Sequence, residues 1–155
     1  MPNLMTLQLG LRHWGCSQTR IEKEERHVLG MMPTLSLNQF MQILVVSITT
    51  GSGRFLIWLA KRNPDSGNYL GLEIRQKLVK RAEFWVKELA LTNVHFLFAN
   101  ASISFRQLVL SYPGPLMLVS ILCPDPHFKK RHHKRRVVQK TLVDNIISHL
   151  VPGGK

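Results

Sequence analysis

The chain has 155 residues, of which 45% are apolar, enough for a single domain with a buried core. Its formal net charge is +12, with 21 Lys and Arg against 9 Asp and Glu, which predicts a polyanionic partner: nucleic acid first, an anionic membrane surface second. No uninterrupted apolar run approaches the roughly 20 residues that span a bilayer, so we expect no membrane-spanning segment. Of the two candidate partners we expect nucleic acid and no membrane.

Residues 1–40 differ from the rest of the chain. They combine a charged, helix-compatible stretch at 20–27 with scattered Met, Gly and Pro, and they show no sustained periodicity. They lack the long apolar core and cleavage pattern of a secretory signal, and the glutamates in the charged stretch argue against a long acid-free transit peptide. We therefore expect an atypical, partly irregular N-terminal segment over 1–40 and a domain over 41–155.

From residue 42 onward, apolar runs rich in β-branched residues alternate with amphipathic segments. The former predict buried parallel strands and the latter predict helices. Their alternation indicates a mostly parallel, doubly wound α/β sheet with right-handed crossovers. The predicted strands are 43–48, 69–74, 94–99 and 116–122, and the predicted helices are 54–62, 75–91, 103–110 and 136–150. One apolar stripe is predicted on the second helix: Leu78, Ala82, Trp85, Val86 and Leu89.

Polar residues follow the predicted strands at the edge where such sheets bind ligands, beyond the carboxyl ends. The glycine turn at 51–53 opens a helix, so its backbone could approach a ligand closely, although an ordinary loop has the same pattern. Glu73 ends the second strand 22 residues after Gly51, the spacing of an acid that binds ribose hydroxyls; a surface carboxylate is the alternative. Asn100 follows the third strand, where an amide can recognise adenine or form a turn. Asp125 lies just past the fourth.

The most informative segment is CPDPHFKKRHHKRR, residues 123–136. It sets Asp125 between two prolines, which restrict the backbone and so fix the direction of the carboxylate. A solvated face, a tail or a localisation signal would explain an isolated basic run, but this one lies between a predicted strand and a predicted helix. An acid beside a phosphate-binding surface suits an enzyme that holds one base of a nucleic acid and grips its backbone. The cations of this run are Lys129, Lys130, Arg131, Lys134, Arg135 and Arg136.

The cysteines and histidines give little support for a metal centre. Cys16 and Cys123 lie far apart and lack metal-ligand spacing, which indicates reduced thiols in an intracellular protein. His127, His132 and His133 are close in sequence, but the adjacent lysines and arginines repel a divalent cation. We therefore expect no metal.

Four pieces of the chain, in order, resemble the tRNA (guanine-N7)-methyltransferases, a family that uses S-adenosylmethionine on a Rossmann-like, class I methyltransferase fold. They are GSGRFL at 51–56, YLGLEIR at 69–75, the pair at 100–101 and PDPHFKKRHHKRR at 124–136, and the resemblance covers about two thirds of the chain. The last motif is highly specific, and the whole stretch looks plant-like. The resemblance implies methyl transfer from S-adenosylmethionine to N7 of a guanine in tRNA.

The resemblance also implies roles for individual residues. Asp125 would be the catalytic acid residue and Lys129 would contact the tRNA, while the rest of the cationic run would neutralise phosphates. Guanine N7 has a lone pair and no proton, so catalysis needs position and charge stabilisation rather than a base. A carboxylate can accept hydrogen bonds from the N1–H and the exocyclic amine of guanine. The residues implied in the S-adenosylmethionine pocket are Gly51, Glu73, Ile74, Arg75, Asn100, Ala101 and Leu122.

The chain departs from the family pattern in two places. The family's first loop has an acid, an apolar residue and three alternating glycines, whereas this chain has Ser47 at the acidic position and Thr49 at the first glycine. A positive φ at Thr49 would be costly. Family members also continue beyond the turn at 150–155, so C-terminal strands would be missing and the fourth strand would form an exposed apolar edge. We therefore expect a truncated chain with weak or no activity.

Two alternatives remain open. A non-catalytic RNA-binding fragment of such an enzyme is favoured by Thr49 and the missing strands, and S-adenosylmethionine binding separates it from the enzyme. A nucleotide-dependent dehydrogenase rests only on the glycine turn and Glu73 and leaves the basic motif unexplained. Eukaryotic family members often act with a WD-repeat partner subunit, which the resemblance allows here. A plant-like member is compatible with the chloroplast, the nucleus or the cytosol.

Overall fold

A computed structural model of the protein describes residues 42–125 and 127–155. The predicted N-terminal segment and Cys16 lie outside the described residues. The strands are β1, Ile43–Ile48; β2, Gly67–Glu73; β3, Val94–Phe98; and β4, Leu116–Ile121. The helices are α1, Arg54–Arg62; α2, Gln76–Glu88; α3, Ala101–Ser111; and α4, Lys140–His149, with a 3-10 helix at Lys130–Arg135.

The strands form one sheet in the order β3-β2-β1-β4, and every pairing is parallel. Strands and helices alternate along the chain, so each strand is joined to the next one in sequence by a helical crossover. The predicted doubly wound α/β fold is confirmed. No helix of the described part of the chain combines the length and the apolar character that crossing a membrane requires.

Helices cover both faces of the sheet. On one face, Phe105 and Leu108 of α3 and Leu142 of α4 pack with Val46 in one core cluster. On the other face, residues of α1 and α2 form a second cluster with Val45. Successive residues of a strand point to opposite faces, so β1 supplies both clusters in turn. This two-sided burial explains why β1 is an almost continuous apolar run rather than an alternating one.

The predicted stripe on α2 is wrong in part. Val79 and Ala82 are the buried residues of the helix, whereas Trp85 is 45% exposed and Leu89 is 39% exposed. Val86 is partly buried and packs against the same cluster. The side of α2 that faces the core is therefore centred on Val79 and Ala82, and Leu78 is only partly buried. Large apolar residues on both sides of the helix made the periodicity ambiguous.

The outer edge of β4 is paired rather than bare. β4 ends the strand order, as expected, but residues 150–155 run beside it. The N–H of Val151 donates to the carbonyl of Leu116 at 3.1 Å, and the N–H of Val119 donates to the carbonyl of Lys155 at 2.8 Å. The expected exposed edge is thus corrected, because the last residues present satisfy backbone groups of β4.

Candidate functional site

The carboxyl ends of β1 and β4 meet at the switch in strand order. The crossover from β1 leads to β2 on one side, whereas β4 lies on the other side of β1, which opens a crevice beyond the strand ends. The N–H of Leu122 donates to the carbonyl of Ile48 at 3.1 Å, so the segment after β4 begins directly beside the end of β1. The structure therefore gathers the predicted site residues at one edge of the sheet.

Glu73 joins the ends of β1 and β2. The residue is only 3% exposed, and its Oε2 accepts a hydrogen bond from the N–H of Gly51 at 2.9 Å. Its Oε1 accepts bonds from the N–H of Arg75 at 3.1 Å and from the Arg75 Nε at 3.0 Å. A carboxylate oxygen can accept two hydrogen bonds, so Glu73 keeps acceptor capacity for hydroxyl groups of a ligand.

The guanidinium of Arg75 balances this buried carboxylate. Its hydrogen bond and charge interaction with Glu73 raise the pKa of Arg75, and the negative charge of Asp125 raises it further. Asp125, which follows β4, therefore lies close enough to Arg75 for the two charges to interact. Because both the N–H and the Nε of Arg75 donate to Glu73 Oε1, Arg75 holds the Glu73 carboxylate in place.

The two glycines of the turn have different surroundings. Gly51 has a φ of 58°, and no atom lies within 4 Å of the position that a Cβ would take. Gly53 has a φ of 75°, and a Cβ there would stand 2.6 Å from the ring of Phe96 and 2.9 Å from Ala82. Gly53 therefore permits close packing of α1 on the sheet, whereas Gly51 presents open backbone to the crevice.

The backbone of Thr49 has the strained conformation that the sequence predicts, and hydrogen bonding of its hydroxyl offsets that strain. Its φ is 56°, in the left-handed region that disfavours a β-branched residue. Its hydroxyl lies 2.6 Å from the carbonyl of Ile48 and donates to the carbonyl of Leu122, which belongs to the segment after β4. Thr49 thus ties the ends of β1 and β4 together across the crevice.

We expect Thr49→Val to lower the free energy of unfolding by about 1–2 kcal/mol, because the shape is retained while the carbonyl of Leu122 loses its donor. Thr49→Ser, which keeps the hydroxyl and removes the branching methyl, is the matched control and should change stability less. Urea denaturation followed by circular dichroism measures both. Equal losses in the two variants would contradict a stabilising role for the hydroxyl.

Three buried hydroxyls near the turn have no hydrogen-bond partner among the residues described. They are Ser47 Oγ, Thr50 Oγ1 and Ser120 Oγ. Ser47 and Ser120 pair in register across β1 and β4, so their side chains lie on the same face of the sheet. A buried hydroxyl without a partner costs about 1–3 kcal/mol, so a ligand with polar groups would be stabilised here. Nothing in the sequence distinguished Thr50 and Ser120 from ordinary polar residues.

These features fit S-adenosylmethionine, which carries ribose hydroxyls and a charged amino-acid moiety. Glu73 offers acceptors for hydroxyls and Gly51 offers open backbone, while the buried hydroxyl of Ser47 lacks a partner among the described residues. Thr49 narrows the same crevice. Among the described residues, there is no group of three or more His, Cys, Asp or Glu side chains that could hold a metal ion.

The other residues predicted for this pocket lie at the same edge. Asn100 caps α3, and its Oδ1 accepts from the N–H of Ser102 at 3.1 Å, so the amide has a structural use. Ala101 is the buried first residue of α3, and Ile74 is 61% exposed beside Glu73. An adenine-recognising role for Asn100 stays a prediction.

Asp125 lies in a constrained segment after β4. Its side chain is 73% exposed; Oδ1 accepts from the N–H of His127 at 3.3 Å, and Oδ2 lies 3.6 Å from His127 Nε2. Cys123, an exposed free cysteine, has a φ of 43°, and His127 has a φ of 40°. Such conformations cost about 1–3 kcal/mol each and persist only where the surroundings hold them. The Asp125 carboxylate is therefore exposed to solvent, while the backbone on either side of it is held in one conformation.

The cationic run forms the 3-10 helix and its flanks, an element that the sequence did not predict. Most of its cations are exposed, and no carboxylate of the described chain forms an ion pair with these exposed ones. The side chain of Gln139 donates to the carbonyls of His133 at 2.8 Å and Arg136 at 3.0 Å, which ends the helix before α4. The exposed cations are Lys129, Lys130, Arg131, Lys134 and Arg135.

Known proteins show the same sequence pattern. A family model described as "Putative methyltransferase" matches residues 41–155. The tRNA (guanine-N(7)-)-methyltransferase of Synechococcus sp. strain JA-2-3B'a(2-13) is 57% identical over 108 residues, which are 70% of this chain and 44% of that protein. The enzyme of the same name from Nostoc sp. is 46% identical over 114 residues, 73% of this chain and 52% of that protein. The chain spans about half the length of the curated relatives it matches.

Solved structures share the fold. The precorrin-6y C5,15-methyltransferase of Geobacter metallireducens has a TM-score of 0.52 at 17% identity and covers 74% of this chain and 52% of its own. A SAM-dependent methyltransferase of Geobacter sulfurreducens, solved with S-adenosyl-L-homocysteine, has a TM-score of 0.50 at 14% identity, covering 87% of this chain and 52% of its own. At such low sequence identities, these structures show only that the fold is shared. That fold is the class I methyltransferase fold.

Proposed function

Since the chain belongs to the tRNA (guanine-N7)-methyltransferase family, we propose that it transfers the methyl group of S-adenosylmethionine to N7 of a guanine in tRNA. The observation that carries the proposal is the arrangement at one edge of the sheet. The buried carboxylate of Glu73 holds the open glycine turn, while Asp125 and the cationic run follow the neighbouring strand. This arrangement supports a cofactor site beside a nucleic-acid surface.

S-adenosylmethionine, when bound, supplies an electrophilic methyl group on a sulfonium. Glu73 would accept hydrogen bonds from the ribose hydroxyls, and the open backbone at Gly51 would let the cofactor approach. Ser47 stands where the family has an acid, and its buried hydroxyl has no hydrogen-bond partner among the described residues. Arg75 keeps the Glu73 carboxylate in position.

Asp125 would select and orient the guanine. Its exposed carboxylate can accept hydrogen bonds from the N1–H and the exocyclic amine, groups that adenine does not present in this arrangement. Its negative charge would also offset the positive charge that appears on the ring when N7 is methylated. No proton must be removed from N7, so the residue acts by position and charge.

The exposed cations would bind tRNA phosphates. Because they have no acidic partner among the described residues, their charge is available to an RNA backbone. Such contacts give affinity and register but carry no sequence information. The family resemblance also allows a WD-repeat partner subunit, and the choice among chloroplast, nucleus and cytosol stays a prediction.

A non-catalytic RNA-binding fragment is the second candidate, favoured by the contact of Thr49 across the crevice. Calorimetric titration of the folded chain with S-adenosylmethionine distinguishes the two. The enzyme requires binding that S-adenosylhomocysteine competes away. A folded chain that binds tRNA but shows no heat with either compound would support the fragment instead.

A further inference from the structure

Phe128 is exposed to an unusual degree. The residue is 85% exposed, more than any other large apolar residue of the described chain. Single exposed apolar residues are common and need no explanation on their own. Phe128, however, lies three residues after Asp125 and directly before the exposed cation Lys129. It therefore stands between the proposed guanine-binding residue and the proposed phosphate-binding residues.

The backbone that carries Phe128 is held firmly by the 3-10 helix and its flank. The carbonyl of Phe128 lies 3.3 Å from His133 Nε2, and the carbonyl of His127 accepts from Arg136 Nη2 at 3.4 Å. The next carbonyl, that of Lys129, accepts from the N–H of His132 at 2.7 Å. Three successive carbonyls are therefore tied down while the phenyl ring points into solvent. An aromatic ring on a fixed backbone loses little conformational entropy when it binds.

The surrounding charge decides what the ring can bind. An apolar protein surface placed on Phe128 would desolvate the neighbouring cations without pairing them, which is costly. A single-stranded nucleic acid satisfies both features, because its phosphates pair with the cations and its bases stack on aromatic rings. We propose that Phe128 is a stacking platform for an unpaired base of the tRNA beside the position where Asp125 receives the guanine. This inference rests on the proposed function.

The test measures binding of an unmodified, fluorescently labelled tRNA transcript to the full chain by anisotropy at several salt concentrations. Phe128→Ala should weaken binding about 5- to 150-fold, since stacking of one base contributes about 1–3 kcal/mol. Phe128→Trp should restore the affinity. The slope of log affinity against log salt should stay unchanged in both variants, whereas Lys130→Ala should lower it by about 1. Phe84→Ala, at a 54% exposed phenylalanine of α2, is the matched control and should bind as the wild type does.

Each outcome separates the stacking role from the proposed function. Wild-type affinity in Phe128→Ala, with weakened binding in Lys130→Ala, would overturn the stacking role and leave the RNA surface intact. An equal loss in Phe84→Ala, a changed salt slope in Phe128→Ala, or failure of Phe128→Trp to restore binding would also overturn it. Absence of tRNA binding by the folded wild-type chain would remove the proposed function and the inference with it.

Discussion

Replacing Asp125 by asparagine is expected to reduce methyl transfer to tRNA about 100-fold or more and to leave S-adenosylmethionine affinity unchanged. Asparagine has nearly the same shape, but it presents a donor in place of one acceptor and removes the charge that offsets the methylated ring. The side chain is 73% exposed and contacts only His127 among the described partners, so its replacement should not affect folding.

The matched control for this variant is Asp144→Asn, at an exposed carboxylate of α4 that forms a 2.7 Å ion pair with Lys140. It removes one negative charge far along the chain from the proposed site and should leave kcat unchanged. Initial rates with radiolabelled S-adenosylmethionine and a tRNA transcript measure both variants, and calorimetry measures cofactor affinity. A kcat for Asp125→Asn within a few-fold of the wild type would refute the proposed role.

Replacing Glu73 by alanine is expected to weaken S-adenosylmethionine binding at least about 100-fold, because the carboxylate both accepts ligand hydroxyls and holds the N–H of Gly51. The change also removes the acceptor of the Gly51 N–H and the partner of Arg75, whose side chain is 66% exposed, so the expected loss of stability is about 1–3 kcal/mol. We therefore expect loss of affinity together with lower stability, seen by calorimetry and urea denaturation.

Two further variants separate affinity from folding. Glu73→Gln keeps the shape and part of the hydrogen bonding, so it should fold while its affinity for S-adenosylmethionine falls markedly. Glu83→Ala, at an exposed position of α2, removes an equivalent charge and should change neither quantity. Normal cofactor affinity in a folded Glu73→Gln chain would show that Glu73 serves only the local structure.

Much of the fold follows from local patterns in the sequence. β1 and α1 have the bounds that periodicity predicts, because a β-branched run and a run with helical spacing are separated by glycines. The contact between Glu73 and Gly51 follows from parallel topology, since the carboxyl ends of neighbouring strands lie together. The family resemblance added the roles of residues that periodicity cannot assign.

Features that depend on distant contacts could not be predicted. The strain at Thr49 was expected from its residue type, but the bond of its hydroxyl to Leu122 joins residues 73 positions apart. The pairing of 150–155 with β4 likewise depends on where the chain returns to the sheet. The 3-10 helix was not predicted because its sequence has no apolar residues whose spacing could indicate a helix. Its conformation is held by hydrogen bonds to the residues on either side of it.

The central claim, methyl transfer to guanine N7 in tRNA, is tested most directly by mapping the modification. A tRNA transcript is incubated with the chain and S-adenosylmethionine, then treated with borohydride and aniline, which cleave the strand at 7-methylguanosine. We expect cleavage at a guanosine, and this cleavage should require the cofactor and disappear in Asp125→Asn. Absence of cleavage by a folded chain that binds both S-adenosylmethionine and the tRNA would contradict it.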